Sequence, residues 1–215
     1  GQHSPASAFA ALGWGQIAID TPERMATLDR QTAARALAVA LCDSSLPPWA
    51  QPLVQSHPDL WLEQMTGPVQ RDLVAWRRQD DAWYGGALSL AARQEAPLKT
   101  ALAPIVLTEL SKPGPFHLRQ IRDAAAIALS DPNTAAITRL AERRTREALA
   151  DGDMELAAAW SGAWAKVDAG AAWTCIRRFR DLMWGAAGDG LMQRLIAELS
   201  QHISVSAIEP EVLAM

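Results

Sequence analysis

The side chains that could move protons, hold metals or attack a substrate stand far apart in this chain. The four histidines are at 3, 57, 117 and 202, and no His or Cys lies within four residues of another. A metal site needs closely spaced Cys, His or carboxylate ligands, so neither a metal nor a cofactor is expected. There is no CxxC pair, no HExxH helix and no EF-hand loop. Serine is plentiful, but none sits in a GxSxG elbow that would present it as a nucleophile. The phosphate-cradling patterns GxxxxGK(S/T) and GxGxxG are missing too. The Gly-rich stretch 185–190 has no Lys and no strand before it, so it reads as a helix end and turn. Asp151-Gly152-Asp153 is too short for a calcium loop and reads as ending one helix and capping the next. Glu109, His117, Asp123 and Glu155 would make an acid/base pair only if the fold gathered them in one pocket. The sequence therefore reads as non-enzymatic.

What remains is aromatic and basic. Nine Trp stand against three Phe and one Tyr. Trp160 and Trp164 are four apart and share a helix face, Trp173 and Trp184 come after them, and Trp61, Trp76 and Trp83 cluster in the first half. Trp is enriched at binding hot spots, but most of these sit amid Leu, Ala and Val, which favours packing between helices with the indole N–H on a turn carbonyl. Arginine clusters occur at Arg77-Arg78, at Arg143, Arg144 and Arg146, and at Arg177, Arg178 and Arg180. Aligned, they would make a stripe for phosphates. Asp80, Asp81, Glu142, Glu147 and Asp181 lie among them, which favours an ion-paired, solvated face. The residues best suited to partner contact are Trp83, Tyr84, Arg177, Arg178 and Trp184, which combine ring and guanidinium groups near turns.

Elements must position these groups, and composition bounds the elements. The 215 residues carry 24 acidic and 20 basic side chains, a formal charge of −4, and 49 % are apolar. That balance suits one or two folded domains and excludes a disordered tail, a disulfide scaffold and binding to nucleic acid through overall charge. No window holds 18 uninterrupted apolar residues, so no membrane span and a cytoplasmic setting are expected. Cys42 and Cys175, flanked by apolar residues, read as buried reduced thiols.

Strand signals are confined to 15–19 and 203–207, and the middle is rich in Ala, Leu, Arg, Gln and Glu. Thr21-Pro22-Glu23 reads as a hydroxyl N-cap, a first-turn Pro and a carboxylate at the positive helix end, starting a helix that runs to about 43–46. Further helices are expected at about 49–56, 58–65, 68–79, 81–94, 97–111, 116–130, 133–150, 153–167, 170–185 and 188–202. Gly67-Pro68, Ala96-Pro97, Lys112-Pro113-Gly114-Pro115 and Asp131-Pro132 are among the breakers between them.

The helix openers Pro58, Pro97, Pro132 and Gly170 are 39, 35 and 38 residues apart. A period of that size holds two antiparallel helices and predicts an all-α fold, with hairpin repeats stacked as a short HEAT-like solenoid. A compact helical bundle is the alternative. The corresponding organisation is an irregular segment at 1–20, a helical repeat domain at 21–203 and a tail at 204–215.

Several phrases carry a resemblance. They are Leu46-Pro-Pro-Trp49 running into Gln55-Ser-His57-Pro58, Ala96-Pro-Leu-Lys-Thr-Ala-Leu-Ala-Pro104, and the run from Ala157 through Trp160 and Trp164 to Ala172. Together they resemble the helical-repeat region of very large bacterial proteins that carry a STAND-type (NACHT-like) NTPase module elsewhere. The resemblance implies a sensor or scaffold segment of a larger protein, active in anti-phage defence. The NTPase motifs of that family are absent from this chain, so nucleotide hydrolysis carries over to no residue. The expected partner is a protein or another domain of the parent. A nucleic-acid-binding array using the arginine clusters is the alternative.

Overall fold

A computed structural model describes residues 5–42, 45–77, 86–114 and 118–183. Among these residues there are eleven α-helices, one 3-10 turn and no strands, so the fold is all-α. The chain divides into two compact units, 1–115 and 116–215, whereas one repeat domain at 21–203 was expected. The boundary falls at the Lys112–Pro115 breaker, where Gly114 adopts φ 142° and two prolines bar a continuing helix.

Unit 1 begins with α1 (Pro5–Asp20), where an irregular segment was expected. Ala6, Ala8, Ala10, Ala11 and Ala18 give this stretch high helix propensity, which outweighs the β-like Ile17-Ala18-Ile19. The 15–19 strand candidate lies inside this helix, and the 203–207 candidate lies outside the described residues. Thr21 does not cap the next helix: its hydroxyl donates back to the Ile17 carbonyl at 3.1 Å. The single helix expected from Pro22 is two, α2 (Pro22–Ala26) and α3 (Arg30–Ala40). Asp29 is the reason. Its carboxylate accepts the Gln31 and Thr32 N–H groups, both at 3.0 Å, so a new helix starts there.

A 3-10 turn (Pro48–Ala50) leads into α4 (Gln51–Ser56), then α5 (Pro58–Arg77), α6 (Gly86–Ala92) and α7 (Ala96–Leu110). The two helices expected on either side of Gly67-Pro68 are one. An interior Pro costs a helix about 3 kcal/mol or more. Against that cost, Trp61, Met65, Val69 and Leu73 recur at four-residue steps across Pro68, and all four are buried. A break would split this stripe on a helix that packs chiefly against α6 and α7.

Unit 2 contains α8 (Leu118–Ala128), α9 (Ala135–Asp151), α10 (Met154–Ala165) and α11 (Ala169–Met183). The α9–α10 corner is built by three hydrogen bonds of Gly152 and Asp153. Gly152 takes φ 74° and donates to Leu149 O, Asp153 N–H reaches Ala148 O at 2.9 Å, and the Asp153 carboxylate accepts Leu156 N–H. These bonds form a Schellman ending and an N-cap in succession. So short a turn between helices in extensive contact makes an antiparallel hairpin. α10 also packs on α8 and α11, and every residue from 157 to 165 is buried.

Candidate interaction surface

Of the five residues expected to meet a partner, Trp83, Tyr84 and Trp184 lie outside the described residues. Arg177 and Arg178 lie on α11 and are both exposed. α11 starts at an Asp168 cap that accepts Ala171 N–H at 2.9 Å. Its inner face is set by Ala172 and Ile176, both buried. Four-residue periodicity then puts Gly170, Thr174 and Arg178 in one outward row, with Arg177 beside it and half-buried Trp173 at its edge.

The arginines of α9 are in a different electrostatic state. Arg143 and Arg144 both pair with Glu147, at 3.8 and 3.0 Å, and Arg146 pairs with Glu142 at 2.7 Å. The spacings are i, i+3 and i, i+4, so one helix pairs its own cluster, three guanidinium groups to two carboxylates. Among the described residues, Arg177 and Arg178 make no ion pair or hydrogen bond. A continuous basic stripe over both helices is therefore not what these residues form.

The tryptophans divide by position. Trp61, Trp160 and Trp164 are core residues, 0–3 % exposed, and Trp14, Trp49 and Trp173 are half-buried. The indole N–H of Trp61 differs from expectation, since it meets no acceptor among the described residues. The cysteines also differ: Cys42 is exposed and Cys175 half-buried. Cys42 lies just past the end of α3, where its thiol reaches back to Ala38 O at 3.3 Å, so flanking apolar residues do not bury it.

Sequence reading overlooked a set of polar ties in unit 1. Asp72 on α5 is 2 % exposed, and its carboxylate accepts Leu88 N–H in the first turn of α6 at 3.0 Å. Glu109 on α7, also buried, accepts from Lys112 at 2.7 Å and from Gln70 of α5 at 3.3 Å. A usable signal existed: Asp72 is a carboxylate three residues from Val69, on the apolar stripe, and such a group must find donors. Around α3, Arg30 bridges Asp59 and Glu63 of α5, Gln64 reaches Ala34 O, and a His57 ring nitrogen bonds Leu28 O. The hydrogen bond from Arg30 holds the Asp59 carboxyl below its usual range and raises Arg30 in turn. The Thr32 hydroxyl and N–H do the same for Asp29.

Glu109 belongs to unit 1, half-buried Asp123 and exposed Glu155 to unit 2, and His117 lies outside the described residues. Among the described residues no three His, Cys, Asp or Glu come together as metal ligands. Among them also, no helix is long and apolar enough to cross a membrane. No family model, curated protein or solved structure matches this chain.

Proposed function

We propose that this chain is a non-catalytic helical module that binds a protein partner, as a cytoplasmic sensor or scaffold segment of a larger bacterial protein. The observation that carries the reading is how its helices associate. Within each unit helices pack on their next-but-one neighbours, α5 on α7 and α8 on α10, as stacked hairpins do. The 35–39-residue spacing of Pro58, Pro97, Pro132 and Gly170 supports the same HEAT-like stacking, with α9 itself opening at Ala135. Stacked hairpins spend their apolar faces on one another and leave long outward helix faces for recognition. The resemblance to helical regions of STAND-type proteins supports a role in a defence sensor.

The test is affinity capture from host lysate, with and without phage challenge, at low and high salt. A protein partner retained at high salt is the expected result. Reproducible hydrolytic or transfer activity from the purified chain would sink the reading.

A further inference from the structure

The α9–α10 corner carries a reactive dipeptide. Asp151-Gly152 is one of two Asp-Gly pairs in the chain, and the other, Asp189-Gly190, lies outside the described residues. An Asp-Gly peptide can close on itself. The Gly amide nitrogen loses its proton and attacks the side-chain carboxyl carbon of Asp. The N–Cγ bond forms and water leaves, giving a five-membered succinimide. Solvent water then adds back at one of the two carbonyls. Opening at Cγ restores Asp, whereas opening at the backbone carbonyl leaves the chain running through the side chain, as isoaspartate. One water leaves and one returns, and no oxidant or other reactant takes part. Glycine suits the second position because no Cβ obstructs its nitrogen.

Folding places two obstacles before that closure. Asp151 is the last residue of α9, where the Cα–Cβ bond leans toward the helix N-terminus, away from the nitrogen that follows. The Gly152 N–H is bonded to Leu149 O at 3.2 Å. Burial is not an obstacle, since Asp151, Gly152 and Asp153 are all exposed and a Cβ at Gly152 would meet nothing within 4 Å. Backbone geometry is what holds the chemistry off.

We infer that Asp151-Gly152 is a modification site gated by the fold, inert while the corner is formed and cyclising to succinimide and isoaspartate when the corner opens. The site does not depend on the binding function proposed above. Its product also prevents the corner from closing as before. An isoaspartyl link adds one backbone carbon, about 1.5 Å of chain. The extra carbon falls between the acceptors, Ala148 O and Leu149 O, and the Gly152 and Asp153 N–H groups that close the helix on them. Openings of the hairpin are thereby recorded covalently, because an opened state is modified before it recloses.

The test warms the full chain at neutral pH, folded in buffer and unfolded in guanidinium. Isoaspartate is read by mass spectrometry in the tryptic peptide 147–166, which contains Asp151 and excludes Asp189. The expected result is formation at least about tenfold slower in the folded chain than in the unfolded one. Asp153→Ala removes the Leu156 cap and should speed formation in the folded chain by about fivefold. Trp160→Ala should also speed it, and circular dichroism checks that both variants stay helical. Asp151→Glu cannot close a five-membered ring and should give no such product. The isoaspartyl form, purified and refolded, should melt below the Asp form from the same incubation. Equal rates in the folded and unfolded chain, or an Asp153→Ala rate equal to the parent's, overturn the gate. No isoaspartate in the unfolded chain overturns the site, and an isoaspartyl form that melts as its Asp form does overturns the loss of the corner.

Discussion

The buried carboxylates of one half of the molecule and the buried hydroxyls of the other behave differently. In unit 1, Asp72 and Glu109 reach from one helix to another and tie α5 to α6 and α7. In unit 2, the buried hydroxyls of Thr145 and Ser161 bond back to their own helices, at Ala141 O and Ala158 O. The α9–α10 hairpin instead rests on apolar contact, with Ala148 and Leu149 against Ala157, and with Leu156 and Cys175 beside them. A carboxylate that must find donors across an interface fixes register as well as adding stability. A hydroxyl bonded to its own helix does neither, so register on α9–α10 rests on the Gly152 corner and on side-chain shape.

The sharpest test of that contrast removes packing where packing dominates. Trp160→Ala should destabilise the chain by about 3–5 kcal/mol, read by urea unfolding, because it empties a fully buried site on α10. A loss below about 1 kcal/mol would mean that shape does not hold that hairpin.

The next comparison pits two buried polar groups against each other. Asp72→Ala strands the Leu88 N–H and should cost about 1–3 kcal/mol. Thr145→Val should cost less than about 1 kcal/mol, since Ala141 O keeps its helical bond. Equal losses in thermal unfolding would erase the distinction.

Acid should weaken unit 1 through α3. The carboxyls of Asp29 and Asp59 are lowered from 3.8 on folding, so the stability they add is present above that value. It is lost as pH falls through the lower folded values. Arg30→Ala should remove the Asp59 share and flatten the acid limb of a melting-temperature profile, while Arg146→Ala on α9 should leave that limb as it is.

The smallest effect belongs to the α9 ion pairs. Glu147→Gln breaks one exposed pair and one to half-buried Arg144, and should cost no more than about 1 kcal/mol.

Local patterns in the sequence went furthest where the physics is local. The α9 pairings arise from Glu placed three or four residues from Arg, and the α9–α10 corner arises from Gly152 and Asp153. Trp160 and Trp164, four apart among alanines, read as packing residues. Reasoning from local signals failed where distant contacts outweigh them. Pro68 reads as a breaker, yet the stripe from Trp61 to Leu73 needs one helix. The first twenty residues contain β-like and turn-like signals, yet their alanines build a helix. For partner contact, the arginine positions on α11 were legible, but their exposure was not.

Two helices mark the limit of what composition decides. α1 and α10 are both rich in Ala, both hold Trp, and each has a single charged residue, Asp20 and Glu155. Alanine propensity makes both helical, although β-like signals at 15–19 obscured it in α1. It does not separate their fates. Residues 157–165 of α10 are all buried, whereas Leu12 and Ile19 of α1 are 70 and 75 % exposed. Helix formation draws on neighbours one turn away, but burial depends on which other helices arrive. For α10 these are α8, α9 and α11, brought together by tertiary packing that no stretch of its own residues encodes.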